Sequence, residues 1–329
     1  MAPNALFPRI RTLILSALLI LSGCATPADR AVQNPAHPTT QQAAVEPVEG
    51  KLIQSQLARE QSPETSADNQ ARLASDNLAF AMELYHQLAG QPGNLLLSPY
   101  SISQALAMVY AGARGHTEQQ MASVLHFNLP QNLLHPAFNA LDQELGKRAD
   151  AANDEGQGFQ VNIANATWGQ SGFAFLPAYL DLLAINYGAG MQTVDFANDP
   201  EEARQAINDW VAKQTQGKIK DIIPQGSIDW FTRLVLADAI YFKAAWLTPF
   251  DKAATQAAPF TTLNGSQVSV PMMSLEQTKL KYLQGDGFQA VALPYVDRNV
   301  AMLLLVPDAG RFTQFEAGLD AATLQAILG

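Results

Sequence analysis

Apolar residues first recur at helical spacing in LASDNLAFAMELYHQLA, where Leu73, Leu78, Ala81, Met82, Tyr85 and Leu88 predict a helix ending near Gly90. A short strand then leads into SPYSISQALAMVYAGARG. Ser98 is a natural cap there and Pro99 a natural first helical residue, with Ile102, Ala105, Leu106, Val109 and Tyr110 forming one apolar face. Thr117 and Gln120 have capping-box spacing for a third helix, and NLLHPAFNALDQELGKRA predicts a fourth with Pro136 near its start. The period then changes. In FQVNIANATWG, Phe159, Val161, Ile163 and Thr167 alternate with Gln160, Asn162 and Ala164, the pattern of a pleated strand. PAYLDLLAINYG reads as a Pro-initiated helix. DPEEARQAINDWVAKQTQGK reads as another, capped by Asp199, opened by Pro200 and ended by Gly217. From residue 232 to 308 strands dominate. Helices and strands come in blocks rather than strict alternation, which predicts an α+β fold with largely antiparallel sheets.

Within VLADAIYFKAAWLTPF, Asp238 interrupts an apolar run and shares a strand face with Leu236, Ile240 and Phe242. That phase points the carboxylate inward. At the other end of the chain, Arg9 and Arg11 precede the apolar TLILSALLIL, a secretory-signal pattern too short for an ordinary membrane-spanning helix. LSGC follows at once and resembles the bacterial lipobox, which implies that Cys24 carries lipid. The resemblance also implies an exported protein anchored at the outer membrane or cell surface, since Ala25 rather than Asp follows the cysteine. From residue 25 to about 71 the chain is rich in Ala, Gln, Pro, Thr and Glu and contains no aromatic residue. Such a segment buries too little to offset its ordering entropy. The expected organisation is a signal peptide over 1–23, a flexible spacer over 24–71 and a folded domain over 72–329.

Composition narrows the chemistry. With 48% hydrophobic residues in 329, the chain can fill a substantial core, and its net charge of −10 argues against nucleic acid as a partner. A single cysteine excludes an intrachain disulfide and a CxxC metal site. No HExxH, Walker A, GxGxxG or EF-hand loop is present, so no cofactor or metal is expected. GQSGF lacks the final glycine of a nucleophile elbow and reads as a strand-to-helix turn. His37, His86, His116, His126 and His135 are too scattered for zinc and are expected on solvated or helical faces. Asn165 and Asn264 head sequons, matches expected to be accidental in the bacterial lipoprotein that the lipobox resemblance implies.

Longer motifs are more specific. NLLLSPYSISQALAMVYAGARGHT, INDWVAKQTQGKIKDII, LVLADAIYFKAAWLTPF, VPMM and LPYVDRNVAMLLLVPD occur in the order and rough spacing seen in serpins, and the resemblance covers residues 73–329. It implies the serpin fold and inhibition of serine or cysteine endopeptidases by a protein that is no enzyme. A bait loop is cleaved, the protease stays acylated, and the loop inserts as a new strand into the central sheet. The implied partner is a target protease, and the complete protein is expected to be a monomer.

By the same resemblance, Asn94, Ser98 and Ser101 match the polar shutter beneath the central sheet, while Ser98 also serves as a helix cap. Trp246 matches the breach where the loop enters; its periodicity fits ordinary aromatic core equally well. Asn208, Trp210, Thr215, Gly217 and Lys218 fall on the helix that crosses the sheet and on its exit. Two departures stand out. Asp238 replaces the usual shutter asparagine, and the sequence ends at LQAILG, before the family's remaining central strands and reactive-centre loop. The 329 residues alone are therefore expected not to inhibit, and a non-inhibitory cell-surface binding protein is the other reading. For Asp238, desolvation would raise the carboxyl pKa, whereas serine donors would lower it. Either makes the shutter pH-sensitive.

Overall fold

The computed structural model describes residues 13–14, 20–22, 51–151, 160–276, 279–296 and 299–328. Cys24 and most of the signal segment lie outside the described residues. Helix α1 (Ala67–Leu88) starts where the Ser66 hydroxyl accepts the Asn69 N–H. Strand β4 (Leu95–Leu96) then leads to α2 (Pro99–Tyr110), α3 (Gly115–Val124) and α4 (Gln131–Ala151). The third helix does not use the Thr117–Gln120 capping box. Instead the chain turns at Gly115, with φ +61°, while Arg114 donates to the carbonyls of Ala111 and Ala113 at 2.9 and 2.6 Å. Leu73, Phe80, Ile102, Tyr110, Phe127, Leu134 and Phe138 from this block form one apolar core.

The central sheet follows. Strand β5 (Gln160–Gln170) pairs antiparallel with β7 (Thr232–Lys243) from Gln160 opposite Lys243 to Gly169 opposite Leu234. On its other side β5 pairs parallel with β6 (Met191–Val194), which is reached through α5 (Pro177–Tyr187). Strands β3 (Lys51–Ile53) and β2 (Ile20–Ser22) complete the order β2-β7-β5-β6-β3, and β1 (Leu13–Ile14) pairs with β4. Helix α6 (Pro200–Gln214) covers one face of the sheet and α2 the other. Ala166 and Trp168 of β5, with Val235, Ala237 and Ala239 of β7, pack under Ala203, Ala206, Ile207 and Val211 of α6. Alternation then turns Leu236, Asp238, Asn165 and Thr167 toward α2.

Beyond β7 the chain forms the β8–β9 hairpin (Gln256–Thr261, Gln267–Met272). An antiparallel sheet of β10 (Lys281–Gln284), β11 (Phe288–Pro294) and β12 (Ala301–Pro307) comes next. Helices α7 (Phe312–Gly318) and α8 (Ala321–Leu328) follow, and Glu316 accepts a hydrogen bond from the Tyr85 hydroxyl of α1 at 2.5 Å.

The expected spacer is shorter than 24–71, because the chain is packed from Lys51 onward. β3 seals the edge of β6, and a Cβ on Gly190 would stand 2.8 Å from side-chain carbons of Gln54 and Leu52. Arg59 donates to Asp142 at 2.6 Å and to Asn139 at 2.8 Å, and the Glu60 N–H bonds the carbonyl of Ile185. A segment without aromatic residues is thus fixed by charge and backbone pairing, which apolar periodicity does not register. Arg59→Ala should cost about 2 kcal/mol, the range for hydrogen bonds to a charged group. Thermal melting measures that loss, and limited proteolysis should show new cleavage between residues 51 and 66.

Candidate functional site

A buried polar layer lies between α2 and the β5–β7 ladder. Ser98 caps α2 by position but not by side chain: its hydroxyl bonds that of Ser101 at 2.7 Å. Ser101 is fully buried. One turn on, Gln104 accepts the Asn165 amide N–H at 2.8 Å. Asn165 stands directly opposite Asp238 in the ladder. Asn94, expected in this group, is exposed at the approach to β4. Gln104 and Asn165 were missed as members, although Asn165 falls in phase with Ile163 and Thr167 and so on the apolar side of its strand.

Asp238 is only 4% exposed, and its Oδ1 has no hydrogen-bond partner; nor has Oδ1 of Asn165. Burial pushes the Asp238 carboxyl up to about 7. Of the two expectations for this acid, desolvation prevails. The serine donors bond one another instead of the carboxylate.

On the opposite face, the sheet-crossing helix is tied to the segment after it. Buried Asn208 donates to the carbonyl of Ile223 at 3.1 Å and accepts its N–H at 2.9 Å. Trp210 stands edge-on to Trp168 of β5, with centroids 6.2 Å apart. Thr215 bonds the carbonyl of Val211 at 2.8 Å and accepts the Ile219 N–H at 3.1 Å. The exit turn then needs a left-handed residue at Gly217, φ +72°, before Lys218 returns its N–H to Thr215. At the far end of β7, Trp246 stacks on Tyr295 with centroids 4.6 Å apart and planes 12° apart. Backbone bonds from Leu247 to Pro294 and from Val296 to Ala245 fasten this end of β7 to β11.

None of this assembles a catalyst. Among the described residues no group of His, Cys, Asp and Glu could hold a metal ion. His135 lies on a face of α4, the helical alternative of the expectation, and that face is the buried one: it is 1% exposed and its ring Nδ1 is hydrogen-bonded with the Tyr187 hydroxyl at 2.7 Å. Burial lowers its pKa to about 4, helped by Arg114. An apolar cavity of about 650 Å³ opens between α2, α3 and the turn before α5. Leu106, Val109, Met121, Phe175 and Tyr179 line it, and no carboxylate, histidine or lysine does.

The family model described as Serpin (serine protease inhibitor) matches residues 75–329. The chain belongs to the serpin family. It is 37% identical over 239 residues to the leukocyte elastase inhibitor of Xenopus tropicalis, covering 72% of this chain and 62% of that protein. An uncharacterized serpin-like protein of Thermococcus kodakarensis is also 37% identical, over 76% of this chain and 56% of its own length. The solved ovalbumin of emu superposes with a TM-score of 0.68 and 26% identity, over 77% of this chain and 68% of that one. The chain therefore spans less than two thirds of the length of these curated relatives.

Asn208→Ala would leave both backbone groups of Ile223 without their partner in a dry site, at a cost of about 2–3 kcal/mol. The melt should shift accordingly, and exchange of the Ile223 amide should accelerate before that of the β5–β7 ladder.

Proposed function

We propose that this chain supplies the central-sheet machinery of a serpin-type inhibitor of serine endopeptidases. In this reading a cleaved bait loop is taken up as an added strand beside β7. The observation that carries it is the second edge of β7. Of twelve residues in that strand, only the stretch from Thr232 to Val235 meets another strand there among the described residues, and that strand is the three-residue β2. From Leu236 to Tyr241, the N–H and C=O groups that point away from β5 offer a template for strand addition. The polar layer under α2 and the α6 helix on the opposite face then act as the parts that set how readily the sheet admits a strand. The relatives named leukocyte elastase inhibitor point to an elastase-type enzyme as the first target to try.

The gene's product at full length, mixed with an elastase-type serine endopeptidase, is expected to give a covalent complex that survives SDS. A cooperatively folded protein that yields no such complex with a panel of serine endopeptidases would favour the binding-protein reading. We further propose that Cys24 becomes the lipid-bearing N-terminus once residues 1–23 are removed, tethering the domain by residues 25 to 50. Loss of that leader would also take β2 away from β7. The cysteine variant Cys24→Ser should lose detergent-phase partitioning while keeping the melt of the folded domain.

A further inference from the structure

Asp238 lies where no surrounding charge answers its own. On the α2 side of the sheet, the titratable residues of α2 are Tyr100 and Tyr110, and β5 and β2 carry none; α4, which also meets β5, carries His135, Asp142, Glu144, Lys147, Arg148 and Asp150, and burial alone acts on the Asp238 carboxyl. Arg233, Tyr241 and Lys243 of β7 have the opposite phase to Asp238 along the strand. The charged residues of α6, Glu201, Glu202, Arg204, Asp209 and Lys213, belong to the helix packed on the other face. What remains within the layer is neutral: hydroxyls that bond each other, and the Gln104–Asn165 amide pair.

Two oxygens in this layer are buried without a donor, Oδ1 of Asp238 and Oδ1 of Asn165. The two residues are cross-strand partners on one face, with Cβ atoms about 5 Å apart in such pairs. Asn165 has committed its amide N–H to Gln104, which leaves the carbonyl oxygen as its unsatisfied end. A carboxylate and an amide carbonyl both only accept hydrogen bonds. One proton placed between them satisfies both.

We propose that Asp238 and Asn165 form a proton-gated clasp across the β5–β7 ladder. With the proton in place, the Asp238 carboxyl donates a hydrogen bond to Asn165 Oδ1 and ties β7 to β5 beneath α2. When the proton passes to solvent, that bond is lost and an unpaired carboxylate remains in a dry layer. The gate is a property of this chain's Asp238 and is independent of whether the protein inhibits a protease.

The sign of the pH dependence follows from burial. An unfolded aspartate releases its proton near pH 3.9, whereas the folded carboxyl holds it to about 7. Between these values the folded state binds more protons than the unfolded one. The stabilisation is therefore complete below the unfolded pKa and is lost as pH rises through the folded one. Within that window the folding equilibrium constant should fall by up to about tenfold per pH unit.

The test uses the full chain, with melts from about pH 5 to pH 8 and hydrogen exchange of the β7 amides, corrected for intrinsic rates, at the same pH values. Relative to wild type, Asp238→Asn should flatten the profile over this range and keep the Ala237 to Ala239 amides protected at the alkaline end. Asn165→Ala removes the acceptor, so its pH-dependent loss should be smaller than wild type and should end at a lower pH. Coincident profiles for wild type and Asp238→Asn would overturn the gate. If Asn165→Ala instead keeps the wild-type profile, the clasp is wrong. A wild-type stability that rises with pH through this window would mean that Asn165 turns its NH₂ to an ionised Asp238, which also sinks the proposal. The exchange measurement decides even where a melt is irreversible.

Discussion

The β5–β7 ladder is the constraint on which the rest of the domain depends. Its ten consecutive pairs, from Gln160–Lys243 to Gly169–Leu234, set a single phase for both strands. A slip of one residue would exchange every side chain between the two faces. The phase sends alanines, Val235 and Trp168 toward α6, where small side chains let the helix lie close. It sends Asn165, Thr167, Leu236 and Asp238 toward α2. Two helices of different character are thus held by one strand pair: α6 on an apolar floor, α2 on a floor with polar groups in its middle.

That difference has energetic meaning. The α6 face is fastened by burial, with Ile207, Val211, Ile223 and Val235 fully enclosed, and by the paired bonds between Asn208 and Ile223. Such contacts change little with pH or salt. The α2 face includes polar atoms that satisfy one another incompletely, which makes the fit between helix and sheet sensitive to single protons and single hydroxyls.

Much of this was legible in the sequence, for identifiable reasons. The helices at residues 99–110 and 200–214 announced themselves through Pro at the first turn with Ser or Asp before it, that at 177–187 through its first-turn Pro, and that at 67–88 through apolar periodicity from Leu73 onward. Ser98 and Ser101 lie at the start of α2, and Asn208 and Trp210 lie on α6, both helices that the sequence pattern predicts. Three things escaped. Arg59 and its neighbours dock through ion pairs and backbone bonds across about 80 residues of sequence, a contact without local signature. Asn165 and Gln104 look like ordinary polar residues until the register of two distant strands brings one opposite Asp238. His135 sits at a helical position whose burial depends on Tyr187, more than fifty residues away.

The segment that runs from Lys51 to α1 gives the sheet a handedness of growth. At one flank the three-residue β3 lies so close on Gly190 that no side chain fits between them, and so short a strand gives a further strand little to pair with. At the other flank the twelve-residue β7 is mostly uncovered by its partner β2. Strand addition is therefore a directional event for this sheet. An added strand would find its open edge on the β7 side, between Leu236, where the pairing with β2 ends, and the stacked Trp246 and Tyr295.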